Sequence, residues 1–175
     1  MRLITALALM LTLTACAGRP SLDDPKLSDR ELRLEEFFDG KLVAHGQFQD
    51  IFGNVSRRFV VDIDGDWDGQ RLRLVEDFIY EDDSTEQRIW TLTKTGDRTW
   101  EGTAPGVQGV ATGEERGDVF NWAYTIDLPI AGGETILVSF DDWMWLLSED
   151  RLLNRAYMKR AGVTVGEVVI YFEKR

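Results

Sequence analysis

The chain has 175 residues, with 31 Asp and Glu against 20 Lys and Arg and a formal charge of −11. That acidic balance excludes nucleic acid as a partner, because such binding relies on clustered Lys and Arg set against phosphate. A single cysteine excludes an intramolecular disulfide, and a single histidine leaves too few ligands for zinc, which takes three or four; no metal or other cofactor is expected.

The first fifteen residues, "MRLITALALMLTLTA", carry one base, Arg2, and an apolar run from Leu3 to Leu13 that is too short for a permanent bilayer span. They read as a signal peptide. They lead into Leu13-Thr14-Ala15-Cys16, which looks like a bacterial lipobox, with cleavage before Cys16 and acylation of that residue. Several acyl chains anchor stably where one does not, since each buried methylene contributes roughly 0.8 kcal/mol. Ala17 at the sorting position favours the outer membrane, with the domain facing the periplasm. Removal of residues 1–15 takes one of the 20 basic residues and none of the 31 acids, so the mature charge is −12. The anchor, rather than a basic patch, then holds the protein to the membrane. Residues 16–27, with Pro20 and Pro25, read as a lipidated tether that lets the domain stand off the membrane, and 28–175 as a single β-barrel domain.

Ser28 with Glu31 forms a capping-box pattern, and Leu27 with Leu32 can staple it. Leu34, Phe37 and Phe38 then share one helical face, which predicts a short N-terminal helix packed on the domain. From Lys41 onward the apolar period is two. Nine or ten strands are expected, near 41–50, 55–66, 69–80, 86–95, 98–103, 107–115, 118–129, 134–147, 151–160 and 163–173, separated by Gly- and Asp-rich turns. Short connections make successive strands antiparallel. Closure into a barrel or half-barrel removes exposed edges; a two-layer sandwich shares the same period.

Within the second strand, Asp62, Asp64, Asp66 and Asp68 alternate with Val61, Ile63, Gly65 and Trp67. Asp64-x-Asp66-x-Asp68-Gly69 opens like a calcium loop, but the twelfth position, where a bidentate Glu is needed, is Val75. The strand reading sends the four aspartates to solvent and makes Asp68-Gly69 a hairpin turn.

Glu76 shares its register with Leu72, Leu74, Phe78 and Tyr80, so a carboxyl points to the apolar side, where it costs several kcal/mol unless paired. A hairpin centred near Asp83 sets Phe78 opposite Arg88 and Glu76 opposite Trp90. Glu76 and Arg88 are then diagonal neighbours, either a functional pair or a structural one at the barrel rim. Trp122 with Tyr124, and Trp143 with Trp145, fall on single faces of two neighbouring strands. These aromatics can line a cavity for an acyl chain, fill a solid core, or form an outer patch on the membrane. Asn154 and Arg155 occupy opposite faces of one strand; an inward Arg155 can hold a carboxylate or phosphate head group. His45 belongs to the outer register of its strand, and no motif marks an activated hydroxyl or thiol.

Three stretches, "LEEFFDGKLVAHGQFQDIFG", "VEDFIYEDDSTEQRIWTL" and "FDDWMWLLSEDRLLNRAYMKRAGVTVGEVVIYFEK", together with the lipobox, resemble a family of proteobacterial lipoproteins built on a domain of unknown function. The most specific piece is Asp141 to Gly162. The resemblance implies a lipocalin-like fold, no established activity, and genomic company with enzymes of the cyclopropane fatty-acid synthase type. No Gly-x-Trp follows the N-terminal helix; Gly40 precedes Lys41-Leu42, so the likeness to true lipocalins is a loose one.

The expectation is an all-β, antiparallel lipocalin-like barrel on an outer-membrane anchor that binds or shuttles a lipid or other hydrophobic ligand. Glu76, Arg88, Trp90, Trp122, Tyr124, Trp143 and Arg155 are the candidate ligand-binding residues, and Cys16 the lipidation site. The alternatives are an enzyme or accessory factor in fatty-acyl modification, with Glu76 and Arg88 in acid–base work, and a structural envelope protein with a packed barrel.

Overall fold

The computed structural model describes residues 18–129 and 134–175; the expected signal peptide and Cys16 lie outside them. A single helical turn, α1 (Leu34–Phe38), precedes ten strands: β1 (Gly40–Asp50), β2 (Val55–Trp67), β3 (Arg71–Tyr80), β4 (Thr85–Lys94), β5 (Thr99–Thr103), β6 (Ala111–Arg116), β7 (Val119–Pro129), β8 (Thr135–Ser148), β9 (Arg151–Arg160) and β10 (Val163–Lys174). Every neighbouring pair is antiparallel, and β1 also pairs with β10, from Leu42↔Lys174 to Asp50↔Gly166. The sheet is therefore a closed barrel, which decides against both half-barrel and sandwich.

Period two sorts the side chains. Along β2, Phe59, Val61 and Ile63 are buried while Asp62, Asp64 and Asp66 are exposed. The aspartates are spent on the surface: Asp62 pairs with Arg175 and Asp64 with Lys41, each at 3.0 Å, and Asp68 Oδ1 accepts the backbone N–H groups of Gln70 and Arg71 in the β2–β3 turn. An apolar interior inside a charged wall is the reverse of a membrane-spanning barrel, whose outer band is apolar.

One end of the barrel is closed by the segment before β1. Leu32, Leu34, Phe37 and Phe38 are all buried there, and Phe38 meets Phe172 edge to face at 5.6 Å. The expected capping box does not form. Leu27 is 89% exposed, and Ser28 Oγ donates to Asp118 instead of capping a helix. The chain runs non-helically through Leu32, whose N–H is taken by the Gly117 carbonyl in the β6–β7 turn, and only then coils. The first free N–H of the helix, that of Leu34, is accepted by the buried carboxylate of Glu115 at 2.8 Å; the same oxygen takes the Trp100 indole N–H at 2.9 Å. A tertiary carboxylate thus replaces the local cap.

The described part of the expected 16–27 tether, residues 18–27, lies against the domain. Arg19 bonds Thr164 at 2.7 Å and lies 4.2 Å over the Tyr157 ring, Asp23 pairs with Arg116, and Ser28 reaches Asp118 at 2.7 Å. The segment is strapped along the outer wall, from the beginning of β10 to the β6–β7 turn at the closed end.

Candidate functional site

The wall is uneven. β5 pairs with β4 only over Thr91–Lys94, so Thr85–Trp90 face no strand on that side. Loop 104–110 covers the matching stretch of β7, with Val107 bridging to Ile126 and Gln108 N–H bonding the Thr125 carbonyl. The barrel is thus notched beside Glu86, Arg88 and Trp90, and among the described residues no helix covers the end away from α1.

Inside lies a cavity of about 120 Å³, bounded below by Leu34 and Phe38 and above by Phe48, Tyr80 and Leu128. Two aromatic runs line it. Phe120 stacks on Trp122 at 5.7 Å, Trp122 meets Trp90 at 5.7 Å, Trp90 meets Tyr124 at 5.1 Å, and Tyr124 stacks on Phe140 at 5.1 Å. On the other side Phe48, Phe59, Phe78 and Tyr80 form a second chain of contacts. Small residues make room for the indoles. A Cβ on Gly102 or Gly113 would come within 2.7 Å or 2.6 Å of the Trp122 ring.

A polar cluster interrupts this apolar wall at mid-height. Glu76 stands directly opposite Arg88, not diagonal to it, and Trp90 stands opposite Leu74. The register differs from the expected one because the hairpin loop is the three residues Glu81–Asp83, closed by the Tyr80 N–H on the Ser84 carbonyl and ended by Asp83 at φ 60°. Arg88 nevertheless makes its direct ion pair with Glu86, at 2.7 Å, and Glu86 also accepts the Tyr80 hydroxyl at 2.8 Å. Glu76 faces the cavity and feels Arg88 only through space. Burial pushes its carboxyl up from 4.5 to about 7; Arg88 opposes this and Glu86 adds to it. What surface Glu76 retains faces the cavity, not bulk solvent. Burial also works against the charge of Arg88, but Glu76, Tyr124 and Glu86 outweigh it and move its pKa up.

The opposite wall carries Asp142, which the sequence reading missed, and Asn154, which it set beside Arg155 as the other face of one strand. Asp142 lies across from Trp122 on β7, and its carboxyl is pushed well above the carboxylate range by burial first, then by Asp141 and Glu76. Asn154 is fully buried beside it. Asn154 is close enough to act on the Asp142 carboxyl but falls outside hydrogen-bond geometry: Asp142 Oδ1 and both amide atoms of Asn154 have no partner among the described residues. Tyr124, facing Asp142, Arg88 and Glu76, has its phenol raised mainly by burial.

Five of the seven expected ligand-binding residues, Glu76, Arg88, Trp90, Trp122 and Tyr124, therefore line one cavity. Trp143 and Arg155 do not. Asp142 and Met144 take the inner face of β8, which turns Trp143 outward between Asn121 and Arg155. Asn154 takes the inner face of β9, which turns Arg155 outward into a 2.6 Å pair with Glu167. On both strands a polar residue displaced the expected one, and only alternation with Phe140 and Val138, or with Leu152 and Ala156, could have shown it. His45 is exposed on the outer wall.

Comparison with known proteins agrees with the architecture. A family model described as a protein of unknown function, DUF3833, matches residues 10–174. No curated protein matches the chain. Among solved structures, the S-type phycobiliprotein lyase CPES from Guillardia theta superposes with a TM-score of 0.61 over 82% of this chain and 93% of that one, at 13% identity, which establishes a shared lipocalin-like barrel.

Proposed function

The chain belongs to the DUF3833 family, whose function is unknown, and from its interior we propose that it binds a hydrophobic ligand carrying a hydrogen-bond-donating group. The observation that carries this reading is the set of unpartnered polar atoms, Asp142 Oδ1 and Asn154 Oδ1 and Nδ2, on the wall of an aromatic cavity. A buried polar atom left unsatisfied costs about 1–3 kcal/mol, so a packed structural barrel would not be expected to keep three at one place. The cavity of about 120 Å³ is close to an engineered one of roughly 150 Å³ that holds benzene, and below the roughly 300–1,000 Å³ of drug-sized sites. It accommodates a ring or the end of a chain, and a longer ligand continues out through the open end or the notch beside Trp90.

The charges select the head group. Arg88 is already paired with Glu86, and Glu76, with its carboxyl at about 7, adds a further negative charge at pH 8, so an anionic head group meets more repulsion than attraction. A neutral hydroxyl or amide finds acceptors. At pH 8, tryptophan fluorescence titration of the purified protein should show a fatty alcohol or primary amide binding at least tenfold tighter than the fatty acid of equal length. Equal affinity would refute the head-group assignment; no saturable binding of any probe would leave a packed barrel and end the ligand reading.

The setting we infer is the periplasmic face of the outer membrane, with the chain anchored through acylated Cys16 after loss of residues 1–15, as in proteobacterial lipoproteins. Incorporation of labelled fatty acid, abolished in Cys16→Ser, tests the anchor. A second reading is favoured by the Glu76 carboxyl at about 7, near the working pH of a general acid or base. It predicts turnover of an acyl substrate that Glu76→Gln abolishes while folding is retained.

A further inference from the structure

Two independent features point to the same end of the barrel. The first is the distribution of exposed apolar side chains. Of the ten large hydrophobic residues exposed among the described residues, eight lie in the half away from α1. The three most exposed of these eight sit at two hairpin tips that meet there: Ile51 (61%) and Phe52 (83%) between β1 and β2, and Val163 (66%) at the start of β10, with Val165 (41%) two residues on. The pairing of β1 with β10 ends at Asp50↔Gly166, which brings the two tips side by side. Charge does not explain them, since the same rim carries both signs, from Arg58 and Arg160 to Asp82 and Asp83. A Phe at a loop tip with most of its surface in water marks a contact surface rather than a core residue.

The second feature is the strap. Residues 19–28 are held along the outside of the barrel by Arg19 to Thr164, Asp141 and Tyr157, by Asp23 to Arg116, and by Ser28 to Asp118. Lys26 lies against Gly117, where a Cβ would meet its side chain at 2.9 Å. The strap starts at Thr164, beside Val163 and Val165, and finishes at the closed end. Cys16 precedes Arg19 by three residues, a reach of at most about 11 Å, so an anchor there is tied to the part of the wall where the strap begins, beside Thr164.

We propose that the open end of the barrel is the membrane-docking face: the acyl chains on Cys16 and the side chains of Ile51, Phe52, Val163 and Val165 enter one lipid surface together, and the cavity opens directly onto it. This rests on the anchor proposed above and not on ligand binding. Two weak apolar contacts joined to a covalent anchor act with a high effective concentration, so the hairpin tips need not bind lipid by themselves. Ligand would then pass between bilayer and barrel without crossing water, and the closed end with Asp64, Asp66 and Asp68 would face away.

The test uses the full-length protein isolated from membranes and reconstituted in phosphatidylethanolamine–phosphatidylglycerol vesicles containing a doxyl-labelled lipid. A fluorophore is attached at Phe52→Cys or Val163→Cys at the open end, or at Asp66→Cys at the other; all three positions are solvent-facing, and an acylated Cys16 offers no free thiol. Quenching at the first two positions is expected to exceed that at Asp66→Cys at least threefold, and Arg19→Glu is expected to narrow the difference. Equal quenching at both ends, or stronger quenching at Asp66→Cys, overturns the orientation while leaving ligand binding intact. An intact mass without acyl chains removes the anchor and overturns the orientation with it. Failure of the ligand reading alone leaves the quenching pattern unchanged.

Discussion

Replacing Glu76 with Gln should make the protein more stable, and only above a particular pH. The carboxyl is pushed from its ordinary 4.5 to about 7 by burial, with Glu86 adding to the effect and Arg88 opposing it. In that interval the folded protein keeps a proton that the unfolded chain has released, so wild-type stability falls as pH rises from 4.5 to about 7 and levels off beyond. The rise corresponds to about 3 kcal/mol of folding free energy withheld above pH 7. Gln has the same shape and no charge to bury. Urea unfolding of wild type and Glu76→Gln should therefore give matching stabilities near pH 4 and a gap opening to about 3 kcal/mol, in favour of the variant, by pH 8. Two groups across the cavity respond to the change: Asp142 loses a neighbouring negative charge, so its raised carboxyl moves down, and Arg88 keeps its ion pair with Glu86. Parallel pH curves for the two proteins, or a variant less stable at pH 8, would refute the placement of Glu76 in the low-dielectric interior. A variant that gains stability while losing ligand affinity is the expected outcome for a site residue held at the expense of the fold.

Gly65→Ala should lower stability by about 3 kcal/mol in the same urea assay, because the new Cβ falls 1.7 Å from the Phe38 carbonyl oxygen and must displace α1; an unchanged midpoint would mean that α1 does not seal that end. Glu115→Ala should cost about 3 kcal/mol by stranding the buried N–H groups of Leu34 and Trp100, whereas Glu115→Gln, which keeps an acceptor oxygen, should recover most of it. Near-UV circular dichroism of Trp100 follows the same order. Arg155→Ala removes a pair with Glu167 and a contact over the Tyr157 ring, both on the outer wall, so stability should change by about 1 kcal/mol or less and probe binding should not change; loss of binding would place Arg155 in the site after all.

The fold was legible because period two was unbroken: in β2, β3 and β7 the apolar residues expected inside are inside, and strand limits agree to within a few residues. The site was half legible for the same reason. Glu76 stood out as a charge in an apolar register, and so it faces the cavity. Asp142 and Asn154 stood in strands whose two faces are both rich in large or mixed residues, where size pointed to Trp143 and charge chemistry to Arg155. Neither property decides direction; register does. The capping box at Ser28 was a local signal defeated by tertiary bonds, since Asp118 and Glu115 offered better partners than a first helical turn.

Closure of the barrel by β1 and β10 sets an order of events. The first strand begins at Gly40 and its partner is the last, ending at Lys174, so the seam joins the two extremes of the domain. Contacts of such long sequence separation form slowly, after most of the loop-closure entropy has been lost. A chain still emerging from a ribosome, with Val163–Lys174 not yet delivered, has both a free edge on β1 and an aromatic wall open to water. Closure of the barrel therefore waits for β10, and until then the edge of β1 needs protection from other strands.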